Sequence, residues 1–130
     1  MDEQITELIH VSIGELWDKY TILLIKKQEI CNKEKLKIID LELKLLDIKM
    51  QKYKYLDNHL FLQLKIINEQ LWKIEDSIRI KELNKEFDNV FIDLARNVYI
   101  TNDKRCEYKN KINDFYGSSI QEIKEYVDYK

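Results

Sequence analysis

Proline is absent from this chain of 130 residues, and glycine occurs only twice, at Gly14 and Gly117. A β protein built on tight turns needs more of both, because they supply the backbone angles that turns require. Composition therefore predicts helices. Cysteine is equally scarce. Cys31 and Cys106 are too few for a disulfide scaffold in a chain this long. Neither belongs to a CxxC pair or a Cys/His cluster of the zinc type, so both are expected to be reduced, small apolar fillers. His10 and His59 are the only histidines, and neither stands at a motif spacing from a serine or cysteine. Nucleophilic catalysis has no support there. Neither glycine sits in a glycine-rich phosphate loop.

Charge of one sign is also lacking. The formal net charge is −2, so no global basic field exists to hold nucleic acid, and a nucleic-acid partner is not expected. The lysine-rich stretches KEKLK and KMQKYKYL have acids interspersed around them and read as a solvated helix face. No apolar run is long enough to span a bilayer. The start, MDEQITELIH, is acidic and short of apolar length, so neither a signal peptide nor a membrane anchor is expected. These features predict a cytoplasmic protein without membrane contact. What is present is 45% hydrophobic, 35% charged and 11% aromatic residues. That balance fits one folded domain with a real core.

Helix boundaries are legible. Ser12-Ile13-Gly14-Glu15 fits a capping box with Ser12 as N-cap. The helix it opens carries Leu16, Tyr20, Leu23 and Ile30 at one-face spacing, with Trp17, Leu24 and Cys31 beside them. The preceding ITELIHV reads as an arm or a short strand. From Leu36 the apolar residues run Leu36, Ile39, Leu43, Leu46, Met50 and Tyr53, alternating three and four, as on a packing seam. The phase resumes at Leu60, Leu64, Ile67, Leu71, Ile74 and Ile78. Either one very long helix spans both stretches, or the chain turns at Tyr55-Leu56-Asp57-Asn58 into a hairpin capped by Asp57 or Asn58. The hairpin is preferred, because one helix of some 50 residues would extend about 75 Å and a chain this short could not cover it. After a break at Leu83-Asn84-Lys85-Glu86, a further seam runs from Phe87 to Phe115. It carries the polar members Thr101 and Arg105, and Ile100-Thr101-Asn102-Asp103 is where a kink could form, since Thr, Asn and Asp compete for backbone hydrogen bonds. Gly117 suits a helix C-terminus, and Ser119 with Glu122 predicts a last short helix. The fold class expected is all-α: an antiparallel bundle of four main helices plus a short C-terminal helix. Residues 1–130 form one domain, with 1–11 as an N-terminal arm.

Three helices carry polar residues beside their apolar stripes. The first offers Glu15, Asp18 and Lys19 beside Trp17. The stretch NEQLWKIEDSIRI offers Asn68, Trp72, Glu75, Asp76 and Arg79, with Glu75 and Arg79 four apart and acid first, the favourable order for a helical ion pair. The last long helix offers Arg96, Tyr99, Asp103 and Arg105, with Ile92, Arg96, Tyr99 and Asp103 along one face. Arginine is rare here, at Arg79, Arg96 and Arg105 only. If the three helices point these groups inward together, two outcomes follow. One is a network that fixes helix register. The other is a site for a planar anion such as a carboxylate or phosphate. Glu15-x-x-Asp18 with Glu75-Asp76 would also offer oxygens to magnesium. The pattern resembles the ExxD pairs of helical nucleotide pyrophosphohydrolases, although the fuller EExxE pattern is missing.

Taken together, VSIGELWDKYTILLIK, NEQLWKIEDSIR and FIDLARNVYITNDKRCEYKNKIN resemble a family of small helical proteins of bacteria and their phages, a domain of unknown function. The resemblance spans about Val11 to Ile123. It implies a helical fold and directs attention to the same three helices, and it transfers no catalytic residue. The function expected is a non-catalytic helical binding or interaction module, with a protein partner or a second copy as its target. The alternative is a protein that binds or transforms a small anionic metabolite or nucleotide through the Arg/carboxylate cluster, with or without magnesium.

Overall fold

Four α-helices form where apolar spacing and capping residues predict them. They are α1 (Ile13–Glu29), α2 (Lys33–Met50), α3 (Asn58–Leu83) and α4 (Asn89–Tyr116). The computed structural model describes residues 5–130, so the first four residues of the expected arm lie outside the described residues. Residues 5–12 carry no regular structure, and the short strand considered there does not form. Each helix start is held by a side chain that accepts from an early, otherwise unpaired backbone N–H. Ser12 accepts from Glu15 at 3.0 Å, Asn32 from Lys35 at 3.0 Å, Asp57 from His59 at 2.8 Å and Asp88 from Phe91 at 3.0 Å. Gly117 closes α4 in the left-handed conformation, with φ 68°, a backbone geometry that glycine adopts without a Cβ penalty. No helix of the described residues is long and apolar enough to cross a membrane.

α1 is the hub of the bundle. It packs against α2, α3 and α4, while α3 and α4 pack along one another. The core gathers Trp17 and Leu23 of α1, Ile39, Leu46 and Met50 of α2, Leu64 of α3 and Ile112 of α4. α1 has 17 residues, α3 has 26 and α4 has 28. At 1.5 Å per residue α1 is about 25 Å long and α3 and α4 about 40 Å, so α1 covers only part of the α3–α4 pair. Between Trp72 and Ile100 no residue is fully buried.

Several further expectations need correction. The chain does break near Asp57, through a short 3-10 turn at Gln51–Tyr53, so the single long helix is not formed. The break does not fold α2 back along α3 either: α2 packs on α1 alone. Its stripe of Ile39, Leu46 and Met50 is buried there, and an aromatic cluster holds the turn. Tyr116 meets the rings of Tyr53 and Tyr55 at 5.3 and 5.1 Å and donates its hydroxyl to the Tyr53 carbonyl. Second, α4 runs unbroken through Ile100-Thr101-Asn102-Asp103. Thr101 is buried on the packing seam, where its side chain is no rival to the helix. Third, Cys31 is exposed and Cys106 half-buried, so Cys31 fills no core space.

The predicted last helix is also absent: residues 118–130 form no helix. Asn110 of α4 explains why. Its side chain accepts from the Glu122 N–H at 2.8 Å and donates to the Glu122 carbonyl at 3.0 Å. Both backbone groups are thereby taken from any i to i+4 ladder. The Glu122 carboxylate reaches Lys109 at 2.8 Å and so is not available to complete a capping box. The tail then returns along α4, where Asp103 accepts from the Tyr126 and Tyr129 hydroxyls.

That tail is a pH-dependent strap. The hydroxyls of Tyr126 and then Tyr129 hold Asp103 below its usual range, and the same bonds push both phenols up to about 12. A carboxylate with a depressed folded pKa stabilises the docked form above its unfolded value and loses that as pH falls through the folded one. Phenols with raised values keep the tail docked until they ionise. The Asp103 bonds therefore contribute to docking from neutral pH upward to the phenol range and lose that contribution in acid, where the Asn110 bonds to Glu122 remain. At neutral pH, Asp103→Ala is expected to make tryptic cleavage after Lys124 several-fold faster with little change in melting temperature. An unchanged cleavage rate, followed by mass spectrometry, would show that Asn110 alone holds the tail.

Candidate functional site

The polar residues of α1 and α4 meet turn by turn. Asp18 is 1% exposed, at a position where an isolated carboxylate would be costly. It is held by a two-point bond to Arg105, with Nε at 2.9 Å and a terminal nitrogen at 2.5 Å. Asn68 of α3 donates to the same carboxylate at 3.0 Å and to the Thr21 hydroxyl at 2.9 Å. Thr21 donates in turn to the Asp18 carbonyl at 2.8 Å. The Asp18 bond holds the Arg105 guanidinium above even its usual value, so this is a fixed charge pair. One turn along, Lys109 reaches Glu15 at 2.5 Å and Glu122 of the tail at 2.8 Å. Burial works against its charge, but the two carboxylates outweigh it and hold the ammonium above its usual range. Next, the Gly14 N–H donates to the fully buried Asn113 side chain at 2.6 Å. Glycine is required at this point. A Cβ on residue 14 would stand 2.2 Å from the Lys109 carbonyl oxygen and 2.8 Å from Asn113.

Two clefts flank Arg105. One, a groove of about 580 Å³, is lined by Ile22, Asn68, Leu71, Trp72, Glu75, Asp76, Arg79, Asn102 and Arg105. The other, of about 220 Å³, includes Glu15, Asp18, Lys19, Glu42 and Arg105. The structure thus brings Glu15, Asp18, Lys19, Trp72, Glu75, Asp76, Arg79 and Arg105 around one wall, the Arg105 guanidinium. Their engagement differs. Arg79 bonds Glu75 at 2.7 Å on the surface, and Lys19 pairs with Glu42 of α2 at 3.5 Å. Asp76 is exposed and makes no hydrogen bond or ion pair among the described residues.

Arg96, Tyr99 and Asp103 do not join this cluster. Their stripe lies on another face of α4, where Asp103 and Tyr99 hold the tail, Tyr99 edge-on to Tyr129 at 5.2 Å. Arg96 is exposed. No group of three metal-ligating side chains gathers among the described residues. Asp18 and Glu15 face α4 and its cations, whereas Glu75 and Asp76 lie farther along α3.

Residues that spacing alone did not select for the cluster are Gly14, Thr21, Lys109, Asn110, Asn113 and Glu122. One signal was present: Arg105, Lys109 and Asn113 stand four apart, a polar stripe on an otherwise apolar seam. The chain matches no family model, no curated protein and no solved structure.

Proposed function

We propose that this chain is a non-catalytic helical interaction module. Its polar seam sets the helices in register in an antiparallel bundle, and its uncovered helix faces meet a protein partner. One observation carries this reading: the cluster's buried charges are engaged with one another. Arg105 is committed to Asp18 and Lys109 to Glu15 and Glu122, so the seam reads as a network that fixes register. Magnesium would need carboxylate oxygens that now serve these cations. The order of the pairs supports the antiparallel arrangement: Gly14, Glu15 and Asp18 ascend α1 as Asn113, Lys109 and Arg105 descend α4.

Thermal melting against nucleotides, sugar phosphates, carboxylates and divalent metals tests this. A ligand that binds only the folded state raises the melting temperature. No saturable rise is expected. A saturable rise that disappears in Arg79→Ala overturns the reading in favour of a small-molecule site. The groove beside Trp72 is the observation behind that second reading. Arg79 could leave its surface pair with Glu75 at little cost and meet an anion together with the outer edge of Arg105.

A further inference from the structure

α2 has two apolar stripes, and the bundle uses one. Ile39, Leu46 and Met50 are buried. On the far side Ile38, Leu41, Leu45 and Ile48 stand 68%, 42%, 42% and 67% exposed. Each is three or four residues from the next, the spacing of a helix–helix seam. A helix that is apolar on opposite faces belongs between two neighbours, yet α2 has only α1.

A charge stands at each end of this seam, Glu34 in the first turn of α2 and Lys52 just past its end, in the 3-10 turn. Read in either direction, the steps from Glu34 to Lys52 are the same alternation of four and three. Reversal also exchanges isoleucine with isoleucine and leucine with leucine. A two-fold axis at the middle of α2 therefore sets Ile38 against Ile48, Leu41 against Leu45 and Glu34 against Lys52 of a second copy. Such a self-complementary patch is what a two-fold dimer requires. Parallel pairing would instead set Glu34 against Glu34 and Lys52 against Lys52. The flanks are mixed, with Glu42 level with Lys44 but Lys37 level with Lys49 under the same axis, so the seam ends decide the orientation. In the single chain Glu34 has only a surface contact with Lys37 at 3.6 Å, and Lys52 lies over the Tyr53 ring at 5.3 Å. Both can turn to a partner. α2, with 18 residues, is about 27 Å long, enough for a two-helix contact.

We infer that a second copy of this chain docks on α2, the two α2 helices pairing antiparallel along Ile38, Leu41, Leu45 and Ile48. This rests on the interaction-module reading and names its partner. Sedimentation equilibrium of the full chain over a micromolar-to-millimolar range tests it. The wild type forms dimers. Ile48→Glu weakens association by more than about 100-fold, since it places two charges in the seam. Ile48 is already largely exposed, so the variant keeps its fold, which circular dichroism checks. Glu34→Lys and Lys52→Glu each weaken association by about tenfold, and the double reversal Glu34→Lys/Lys52→Glu restores it. A chain monomeric at every concentration overturns the inference, as does a dimer indifferent to Ile48→Glu. A double reversal as weak as either single one also overturns it, because the antiparallel pairing is then wrong. None of these outcomes depends on the ligand-melting result that tests the module itself.

Discussion

Gly14→Ala is expected to destabilise the protein by about 3–5 kcal/mol. In an isolated helix the same change would stabilise, because alanine is favoured over glycine by about 1 kcal/mol. Here the added methyl would meet the Lys109 carbonyl oxygen at 2.2 Å. That atom belongs to the α4 backbone, so no rotamer change can clear it. α1 and α4 must separate, and separation stretches the Gly14 to Asn113 bond of 2.6 Å and leaves a fully buried amide short of its donor. For a domain of this size that loss lowers the melting temperature by roughly 10 °C or more. Chemical denaturation compared with the wild type measures it. An unchanged or raised midpoint would mean that α1 and α4 are not in contact at Gly14, and the polar seam as described would be wrong.

Arg105→Ala is the second large effect, a loss of about 3–5 kcal/mol, because it strands the buried Asp18 carboxylate. Asn68 then remains as the carboxylate's only side-chain donor among the described residues. Asp18→Asn should cost clearly less. Its partner Arg105 is partly exposed and can turn toward water, while an amide at residue 18 still meets Asn68. The double variant Asp18→Asn/Arg105→Ala should recover much of the Arg105→Ala loss, since no buried charge is then left unpaired. Additive losses in this double-mutant cycle would contradict the pairing. Loss of a small-molecule ligand without loss of stability in Arg105→Ala would move the residue from the bundle's framework to a binding site.

Local features were legible because they depend on neighbours within one turn. Ser12 and Asp57 cap helices through short-range bonds, and Gly117 ends α4 through its own backbone freedom. The polar intrusions Thr101 and Arg105 on the α4 seam pointed to an inward polar group, and the ExxD spacing put Glu15 and Asp18 on the face that meets α4. Other assignments failed where a distant residue outbid a local preference. Ser119 and Glu122 form a good local helix start, yet Asn110 and Lys109 capture Glu122 from α4. Arg96, Tyr99 and Asp103 share a helix with Arg105, but their stripe lies on another face, where Tyr99 and Asp103 meet the tail, so three candidate residues separated from the cluster. Gly14 reads as a neutral helix residue until α4 lies against it.

What the sequence determined by itself is the helical class, the apolar stripes and the caps at Ser12, Asp57 and Gly117, since propensity, capping and periodicity act over three or four residues. Only the tertiary structure decided that α2 lies on α1 and not along α3. It alone paired Asp18 with Arg105 and Glu15 with Lys109, and turned the C-terminal segment into an extended strap. Each of those depends on contacts between residues tens of positions apart. Burial makes such contacts decisive, because a buried charge or amide must find its partner wherever the chain brings one.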